Sequence, residues 1–594
     1  MSADLARLAA GVLLVPDGAA EPVAFAAAEL GAYLERMFGR RPAPERAPGP
    51  GAWLCLAPAG APIAERALAV PPGAEWVVRP AEDTAVVSGA SPRALLAGVY
   101  ALLEAAGCRW SARGAADEHV PRLDEGLFPV PMLEMRPAFA RRAFAADLAT
   151  WHYSVPERLA ARLPSDVAFI DWMAKRGATG LLFIRHANDT QWVIPELVPE
   201  LRRRGLDVEG GGHVLVELLP RSLFATHPEY FPLAPDGHRS DLGNVCPASA
   251  AALAVICERA VAARAALGGA SDFHLWGLDL TGGGWCGCSR CAELSPADQA
   301  LSVSNAVAEA LGAGGRVFHL AYHDTLRPPR AVRPHPRVWA EFAPRERCYA
   351  HPLADPACAT NAAYRRALEA HLALFEGRVD VFEYYGDAIL FGGCAVPLVQ
   401  VVERDLDHYL RAGVRGVSCL VFGQYSLWAY GVNVEAFARG VLSPAAAAAA
   451  RGAYAAGFGA AAEPMAHYLA ALERVMAEVV TYGDVLLPPA DAAHAAAVRT
   501  ALAAARRQAP ALHRLLADAA GAAQLLDYTL AVLEGLERWL TATDAEGREA
   551  ALAALAGALR HVRAVDPGVA GAWGVHDLEI THHFYASALR ARRG

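Results

Sequence analysis

Lysine is almost missing from this chain: Lys175 is the only one among 594 residues, and the other basic residues are arginines or histidines. Enzymes that form an imine with their substrate need a lysine amine as nucleophile. Lys175 lies in a stretch with a helical pattern, Asp-Trp-Met-Ala-Lys-Arg-Gly, and is a poor candidate for that role. The scarcity of lysine therefore argues against Schiff-base chemistry.

Clustered positive charge and long apolar runs are missing as well. The net charge is −9 and no basic block is present, whereas nucleic-acid binding requires a basic footprint. No apolar run of membrane-spanning length lacks glycine, proline or charge, and no signal-peptide pattern opens the chain. Eleven cysteines, an odd number, are not typical of a disulfide framework in a chain of this length. We therefore expect a cytoplasmic protein with reduced thiols and with neither a nucleic-acid partner nor a membrane span.

The hydrophobic pattern divides the chain into three regions. In residues 1–130, short apolar runs alternate with two amphipathic helical stretches, which predicts a small α/β domain. In residues 131–440, apolar runs alternate regularly with helical stretches, which favours βα units and a parallel sheet. Residues 441–594 are rich in alanine and leucine and are predicted to be helical. The sequence thus predicts a (β/α)8 TIM-like barrel preceded by a small α/β domain and followed by an α-helical domain.

Eight strands are expected in the barrel, near residues 140–145, 180–184, 207–209, 272–278, 316–322, 337–342, 379–384 and 414–421. Barrel enzymes carry their catalytic residues at the carboxyl ends of such strands. Polar and aromatic residues collect there, while the strand interiors are expected to stay apolar. The strand-end residues are Asp147, Trp151, His152, Arg185, His186, Asn188, Asp189, His213, Asp279, Tyr322, His323, Asp324, Glu341, Arg345, Glu383, Asp387, Gln424, Tyr425 and Trp428.

Two of the carboxylates are candidates for glycoside hydrolysis, a reaction that uses two carboxyl groups, or one together with a substrate acetamide. We predict that Asp279 and Glu383 form the pair. The neighbouring Tyr384 and Tyr385 would desolvate Glu383 and raise its pKa, as a general acid requires. Asp279 would then be the nucleophile or the group that orients an acetamide.

Aromatic rings suit the faces of sugars, and histidine and arginine suit their hydroxyl and carboxylate groups. The residues expected to bind substrate are His213, Arg185, Trp276, Tyr322, His323, Tyr384 and Tyr385. Arg185 and Arg345 are candidate clamps for a sugar carboxylate. Residues 210–212 are glycines without the spacing of a phosphate-binding loop, and they predict a tight turn that presents His213.

Cysteines form a second motif. Cys286, Cys288 and Cys291 follow at C-x-C-x2-C spacing, and Cys246 is the candidate fourth ligand. This spacing is typical of a zinc-knuckle loop, and four thiolates would make a closed, structural zinc site. Reduced thiols or a disulfide are the alternatives. We expect no cofactor to be required for catalysis.

Three features together resemble a bacterial family of domains of unknown function that includes glycoside hydrolase family 163, the endo-β-N-acetylglucosaminidases acting on N-glycans. The end of the N-terminal region is similar to the small α/β domain that precedes the barrel in β-hexosaminidases and α-glucuronidases. The stretches that carry the resemblance are 91–110, 212–213, 227–231, 236–237, 244–246, 276–279 and 285–291.

The resemblance covers roughly residues 1–430 and implies a catalytic barrel acting on glycosidic bonds. One departure concerns the acidic residues: β-hexosaminidases carry adjacent Asp-Glu after the fourth strand, whereas Asp279 is flanked by Leu278 and Leu280. Asp279 would therefore act with a partner from another strand, or the chain uses another scheme.

Our leading hypothesis is an O-glycosyl hydrolase, β-N-acetylglucosaminidase-like or α-glucuronidase-like. Its substrate would be an oligosaccharide or glycoconjugate containing an amino sugar or a uronic acid. The first alternative is a non-catalytic glycan-binding protein on a barrel scaffold, which predicts that Asp279 and Glu383 lie far apart or point away from the cleft. A second is a zinc protein whose cysteine loop mediates assembly.

Overall fold

The computed structural model comprises an N-terminal sheet, a closed barrel and a C-terminal helical region. The described residues are 3–46, 52–58, 70–81, 83–112, 118–123, 128–147, 156–185, 191–268, 272–313, 315–387, 390–391, 395–422, 427–479, 492–515 and 522–563. Within these ranges, no helix has both the length and the apolar character that crossing a bilayer demands.

The N-terminal region is a six-stranded sheet in the order β2-β1-β3-β5-β4-β6, in which only β4 runs antiparallel to its neighbours. Its elements are α1 Leu5–Ala9, β1 Val12–Leu14, α2 Glu21–Phe38, β2 Ala43–Glu45, β3 Trp53–Pro58, β4 Trp76–Ala81, β5 Thr84–Gly89, α3 Pro92–Ala105 and β6 Leu133–Met135. The side chain of Ser91 caps α3 by accepting from the amide of Ala94 at 3.2 Å. Because β6 pairs with β4, the sheet continues to Met135, beyond the predicted boundary at 130.

The barrel has eight parallel strands in chain order, which confirms the predicted (β/α)8 fold. Its strands are β7 Arg141–Asp147, β8 Gly180–Ile184, β9 Asp207–Gly212, β10 Asp272–Leu275, β11 Arg316–Ala321, β12 Val338–Phe342, β13 Val379–Asp387 and β14 Gly416–Phe422. Its helices are α4 Pro156–Lys175, α5 Val198–Arg203, α6 Leu215–Leu218, α7 Ala250–Ala266, α8 Pro296–Leu311, α9 Ala359–Leu374, α10 Val399–Ala412 and α11 Leu427–Gly440.

The glycines before His213 belong to a strand, so the tight turn predicted at residues 210–212 is wrong: β9 runs on to Gly212. Gly211 has a φ of 139°, and a Cβ there would lie 2.0 Å from the backbone oxygen of His274 on β10. Glycine is therefore required for the close approach of β9 and β10 rather than for a turn.

The strand interiors are not apolar, contrary to prediction. Arg141 and Glu209 lie 2.5 Å apart inside the barrel, and His274 bridges Glu209 at 3.1 Å and Glu341 at 2.9 Å. Burial disfavours charged His274, but the carboxylates of Glu341 and Glu209 outweigh it and raise its pKa to about 9. Buried charges persist because they are paired with one another.

The described part of the C-terminal region is mostly helical, as predicted. Its α-helices are α12 Ala450–Ala456, α13 Ala462–Val479, α14 Ala492–Leu515, α15 Ala522–Thr541 and α16 Ala545–Arg563. Tyr454 and Phe458 near α12 are buried, as are Leu533 and Leu536 on α15, so these helices bury apolar faces as amphipathic helices do.

Candidate active site

A histidine between two carboxylates forms the centre of the candidate site at the carboxyl ends of β10–β12. His323 follows β11, and its Nε2 lies 3.7 Å from Asp279 Oδ1, beyond β10. Its Nδ1 lies 3.2 Å from Glu346 Oε1, in the loop after β12. His323 also has a φ of +46°, a left-handed conformation uncommon outside glycine. Such strained residues concentrate at functional sites.

The two carboxylates differ in their surroundings. The side chain of Asp279 is 61% exposed and that of Glu346 only 17%. Burial raises the pKa of Glu346 to about 7, although the adjacent Arg345 favours its charged form. Burial also lowers the pKa of His323, opposed by Asp279. Near neutral pH the site therefore combines a carboxyl group that can hold a proton with a second carboxyl open to solvent.

The two carboxyl oxygens of Glu346 differ in their hydrogen bonding. Tyr364 on α9 donates to Oε2 at 3.5 Å. The approach of His323 to Oε1 lacks hydrogen-bond geometry, and within the described part of the chain Oε1 has no hydrogen-bond partner. An unsatisfied buried oxygen beside a cleft is unusual, and here it is oriented toward the side chain that faces Asp279.

The loop that carries Asp279 is held on two sides. Asp324, next to His323, accepts hydrogen bonds from the backbone amides of Gly282 at 2.9 Å and Gly283 at 3.1 Å, and from Trp285 Nε1 at 3.1 Å. Asn244 Oδ1 accepts from the amide of Leu278 at 2.8 Å on the other side. The position of Asp279 is thus fixed by the residues around it.

His213 and Tyr322 lie beside this centre, as expected for substrate-binding residues, and with His323 they line one pocket. The His213 ring centroid is 6.3 Å from that of Tyr322 and 5.1 Å from that of Trp276. Trp276 is only 4% exposed and donates to Glu341 at 2.8 Å. Trp276 therefore supports the pocket from the barrel side rather than offering a face to solvent.

Arg345 and Tyr384 form a neighbouring group. Arg345 donates through Nε and one Nη to a single oxygen of Asp387, at 3.0 and 2.9 Å. Its guanidinium carbon lies 5.7 Å from the centroid of the Tyr384 ring. This arginine, predicted as a carboxylate clamp, is therefore already anchored by a carboxylate at the end of β13.

Glu383 faces away from the cleft, so the structure does not bring it to Asp279. It is fully buried, accepts a hydrogen bond from Tyr409 on α10 and lies 3.4 Å from Arg347. Burial and the charge of Asp405 raise the pKa of Glu383, opposed by Arg347. Glu383 is therefore desolvated, as predicted from the sequence, but it is buried against α10 and not in the cleft.

The reason is the alternation of side chains along β13. Asp380 contacts Arg141 inside the barrel, and Tyr384 lies near Arg345 at the strand end. Glu383 and Tyr385 take the opposite face, where the Tyr385 hydroxyl donates to Asp405 at 3.0 Å. Tyr385, predicted to bind substrate, is therefore part of the same outer cluster.

Arg185 belongs to a different pocket, lined also by Trp192, Glu217 and Arg259. It lies 3.4 Å from Glu217, and its guanidinium carbon is 4.6 Å from the Trp192 ring centroid. Arg185, a candidate carboxylate clamp, therefore lies in a pocket that His213, Tyr322 and His323 do not line.

Several predicted positions cannot be compared with the structure. Those outside the described residues are Trp151, His152, His186, Asn188, Asp189, Gln424 and Tyr425, and the side chains of Asp147 and Trp428 are likewise not described. Glu346 is the residue that the prediction missed. It follows Arg345 directly after β12, so the strand-end rule that selected Arg345 could have included it.

The four predicted zinc ligands come together beside this site. The Sγ atoms of Cys246, Cys286, Cys288 and Cys291 all lie within 4.8 Å of one another. Cys246 Sγ is 3.8 Å from that of Cys288 and 4.0 Å from that of Cys291. One cysteine that precedes β10 in the chain and three that follow it thus lie close together.

Comparison with known families supports the expected kinship in part. Residues 148–424, just under half of the chain, match the family model described as "Domain of unknown function (DUF4838)". This match agrees with the predicted relation to a family of domains of unknown function, while the relation to glycoside hydrolase family 163 stays a prediction. No curated protein matches the chain.

Solved structures with a similar fold are glycoside hydrolases. A GH115 4-O-methyl-α-glucuronidase with specificity for decorated arabinogalactans is 11% identical, with a TM-score of 0.60, over 96% of this chain and 79% of that one. A GH138 enzyme targeting pectin rhamnogalacturonan II is 10% identical, with a TM-score of 0.54, and the match covers 98% of this chain and 100% of that one. A Streptomyces plicatus β-hexosaminidase mutant is 15% identical, with a TM-score of 0.44, and the match covers 79% of this chain and 93% of that one. At these identities the first two matches show that this chain shares their fold.

Proposed function

We propose that this protein hydrolyses a glycosidic bond, with Glu346 and Asp279 as the carboxyl pair. The observation that carries the proposal is the position of His323, 3.2 Å from Glu346 and 3.7 Å from Asp279 at the carboxyl end of a glycosidase-like barrel. Two carboxyl groups in unlike environments are the arrangement that this reaction requires.

Glu346 would be the general acid. Its pKa of about 7 leaves a large fraction protonated near neutrality, and its Oε1, which is buried and has no hydrogen-bond partner among the described residues, would donate that proton to the leaving glycosidic oxygen. Asp279, more exposed, would attack the anomeric carbon, activate a water or orient a substrate acetamide. Neutral His323 would position both carboxyl groups, while His213 and Tyr322 would bind hydroxyl groups of the sugar.

The substrate would contain an amino sugar or a uronic acid. Arg345 favours the uronic acid, because it directly precedes Glu346 in the chain and its guanidinium binds a carboxylate, that of Asp387. That a protein of similar fold is an α-glucuronidase agrees with this choice. Arg185, in its separate pocket, would not contact the same sugar unit.

A non-catalytic glycan-binding protein is the second candidate, and one observation favours it. Glu383 points away from the cleft, which is what a binding protein predicts for the original pair. The buried Glu346 counts against it, since a carboxyl group with a pKa raised to about 7 serves proton transfer better than binding to neutral hydroxyls.

The test is a hydrolysis screen on aryl β-N-acetylglucosaminide, aryl α- and β-glucuronides, and an N-glycan. Wild type is compared with Asp279→Asn, Glu346→Gln and Glu383→Gln. The proposal expects cleavage of at least one substrate, with large losses in the first two variants only. Cleavage that survives both would refute the assigned pair. Binding of these glycans on an array without any cleavage would support the binding protein instead.

A further inference from the structure

We propose that Cys246, Cys286, Cys288 and Cys291 hold a structural Zn²⁺ ion that fixes the loop carrying Asp279. The metal site itself does not depend on the proposed function. Its consequence for Asp279 does rest on that function.

The spacing of the sulfur atoms fits a tetrahedral metal site. Zn–S bonds of about 2.3 Å in a tetrahedron place neighbouring sulfurs about 3.8 Å apart. Cys246 Sγ lies 3.8 Å from Cys288 Sγ and 4.0 Å from Cys291 Sγ. A disulfide would bring two of the sulfurs to about 2.0 Å, and all four of these cysteines are unpaired. The four sulfurs thus surround a common centre instead of joining in pairs.

The surroundings of the sulfurs favour thiolates. The amide of Leu233 donates to Cys286 Sγ at 3.4 Å, and an Nη of Arg239 lies 3.8 Å from the same sulfur. Donors directed at sulfur in this way are the outer contacts that orient metal ligands and stabilise their charge.

A soft, closed set of four sulfur ligands selects zinc over the hard cations magnesium and calcium, which prefer oxygen. Cys246, Cys286 and Cys291 are nearly fully buried, with exposures of 0–2%. With four protein ligands no coordination position is left for water or substrate, so the ion would have a structural role.

The site joins the segment before α7 to the loop after β10. Asn244, two residues before Cys246, accepts from the amide of Leu278 and donates to Gly284 at 3.3 Å. Cys286 follows Trp285, which is bound to Asp324. The zinc site would thus close one end of the loop from Leu278 to Cys286 and transmit its rigidity to Asp279 through Asn244.

The experiment measures the metal content of the full chain, purified without chelator, by inductively coupled plasma mass spectrometry. We expect about one zinc per chain, lost from Cys286→Ser and Cys291→Ser. Cys257→Ser on α7, outside the cluster, is the matched control and should keep the ion. Less than about 0.1 zinc per wild-type chain, or equal loss from the control, would overturn the proposal.

A second measurement avoids variants that fail to fold. Wild type grown with Co²⁺ in place of Zn²⁺ should show the thiolate-to-cobalt charge-transfer bands and intense visible bands of a tetrahedral sulfur site. Weak bands of an octahedral oxygen site would contradict the assignment. Both readouts are independent of hydrolysis, so a metal site without activity would refute the proposed function and leave the zinc site standing.

Discussion

Glu346 Oε1 lies 3.2 Å from His323 Nδ1 but accepts no hydrogen bond from it. A buried carboxyl oxygen so close to an imidazole is normally satisfied by it. His323 has a left-handed φ of +46°, and its other ring nitrogen faces Asp279 at 3.7 Å. The strained His323 thus lies next to a buried carboxyl oxygen of Glu346 that has no hydrogen-bond partner among the described residues.

Replacing Glu346 by glutamine tests that position. We expect kcat/KM on substrates with poor leaving groups to fall by about 10²- to 10⁴-fold, the usual contribution of a general acid. Aryl glycosides with good leaving groups need less protonation and should lose far less. Glu369→Gln, at an exposed position on the same helix as Tyr364, is the control and should leave both rates unchanged. Equal losses on both kinds of substrate would argue against the acid role.

The pH profile gives an independent check on Glu346. Its folded pKa is raised to about 7, so the protonated acid is present below that pH and lost above it. Wild-type kcat/KM should therefore decline as pH rises through about 7, and Glu346→Gln should lack that decline. A wild-type profile that stays flat from pH 6 to 9 would exclude Glu346 as the acid.

Asp279→Asn and Glu383→Gln should separate chemistry from stability. Asp279 is 61% exposed, so its loss should lower kcat by about 10²-fold or more without changing the melting temperature. Glu383 is buried against Arg347 and Tyr409, so its change should lower the free energy of unfolding by about 1–3 kcal/mol and leave kcat nearly unchanged. Thermal melts beside initial rates provide the comparison. A catalytic loss confined to Glu383→Gln would contradict the proposed role of Asp279 and would favour Glu383 as a catalytic carboxyl group.

Glu383 also shows where sequence reasoning reached its limit. All eight barrel strands lie near their predicted positions, most of them on apolar runs that differ clearly from amphipathic helices, whereas the third, near residues 207–209, has Val208 as its one apolar residue. Which face of a strand lines the barrel was harder to predict, since both faces are covered and polarity does not mark them. The same uncertainty hid Arg141 and His274, which lie inside the barrel as members of a paired network. Glu346 lies within reach of the strand-end rule that selected Arg345, and it was missed because nothing in the sequence marks it as the buried one of the two.

Asp324→Ala should loosen the loop that carries Asp279. Asp324 accepts hydrogen bonds from the amides of Gly282 and Gly283 and from the Trp285 indole, and the alanine removes all of them. We expect kcat to fall by about tenfold or more, because small displacements of a reacting group are costly. Asp544→Ala, which removes a hydrogen bond from the amide of Gly547 at the start of α16, is the control. Equal protease sensitivity of the loop in wild type and variant would contradict the explanation.

Asn244→Ala should separate the zinc site from its effect on Asp279. The buried amide side chain links the segment of Cys246 to Leu278 and Gly284, yet it ligates nothing itself. We expect the variant to keep its zinc and to lose activity about tenfold, at a cost in stability of about 1–3 kcal/mol for the unpaired amide of Leu278. Zinc content and kcat are measured on the same preparation. Loss of zinc together with activity would mean that Asn244 acts on the metal site rather than on the loop.

Gly211→Ala tests how closely β9 must approach β10. The added Cβ would lie 2.0 Å from the backbone oxygen of His274, and the φ of 139° is strained for any side chain. Because backbone cannot move aside as a flexible side chain does, we expect a loss of about 3 kcal/mol or more in the free energy of unfolding, at the upper end of overpacking effects. Gly452→Ala on α12 meets nothing within 4 Å and should be neutral or slightly stabilising. His213 follows β9 directly, so folded Gly211→Ala protein should also show a raised KM. Wild-type stability in Gly211→Ala would mean that the two strands tolerate separation, and the pocket would then not depend on the glycine run.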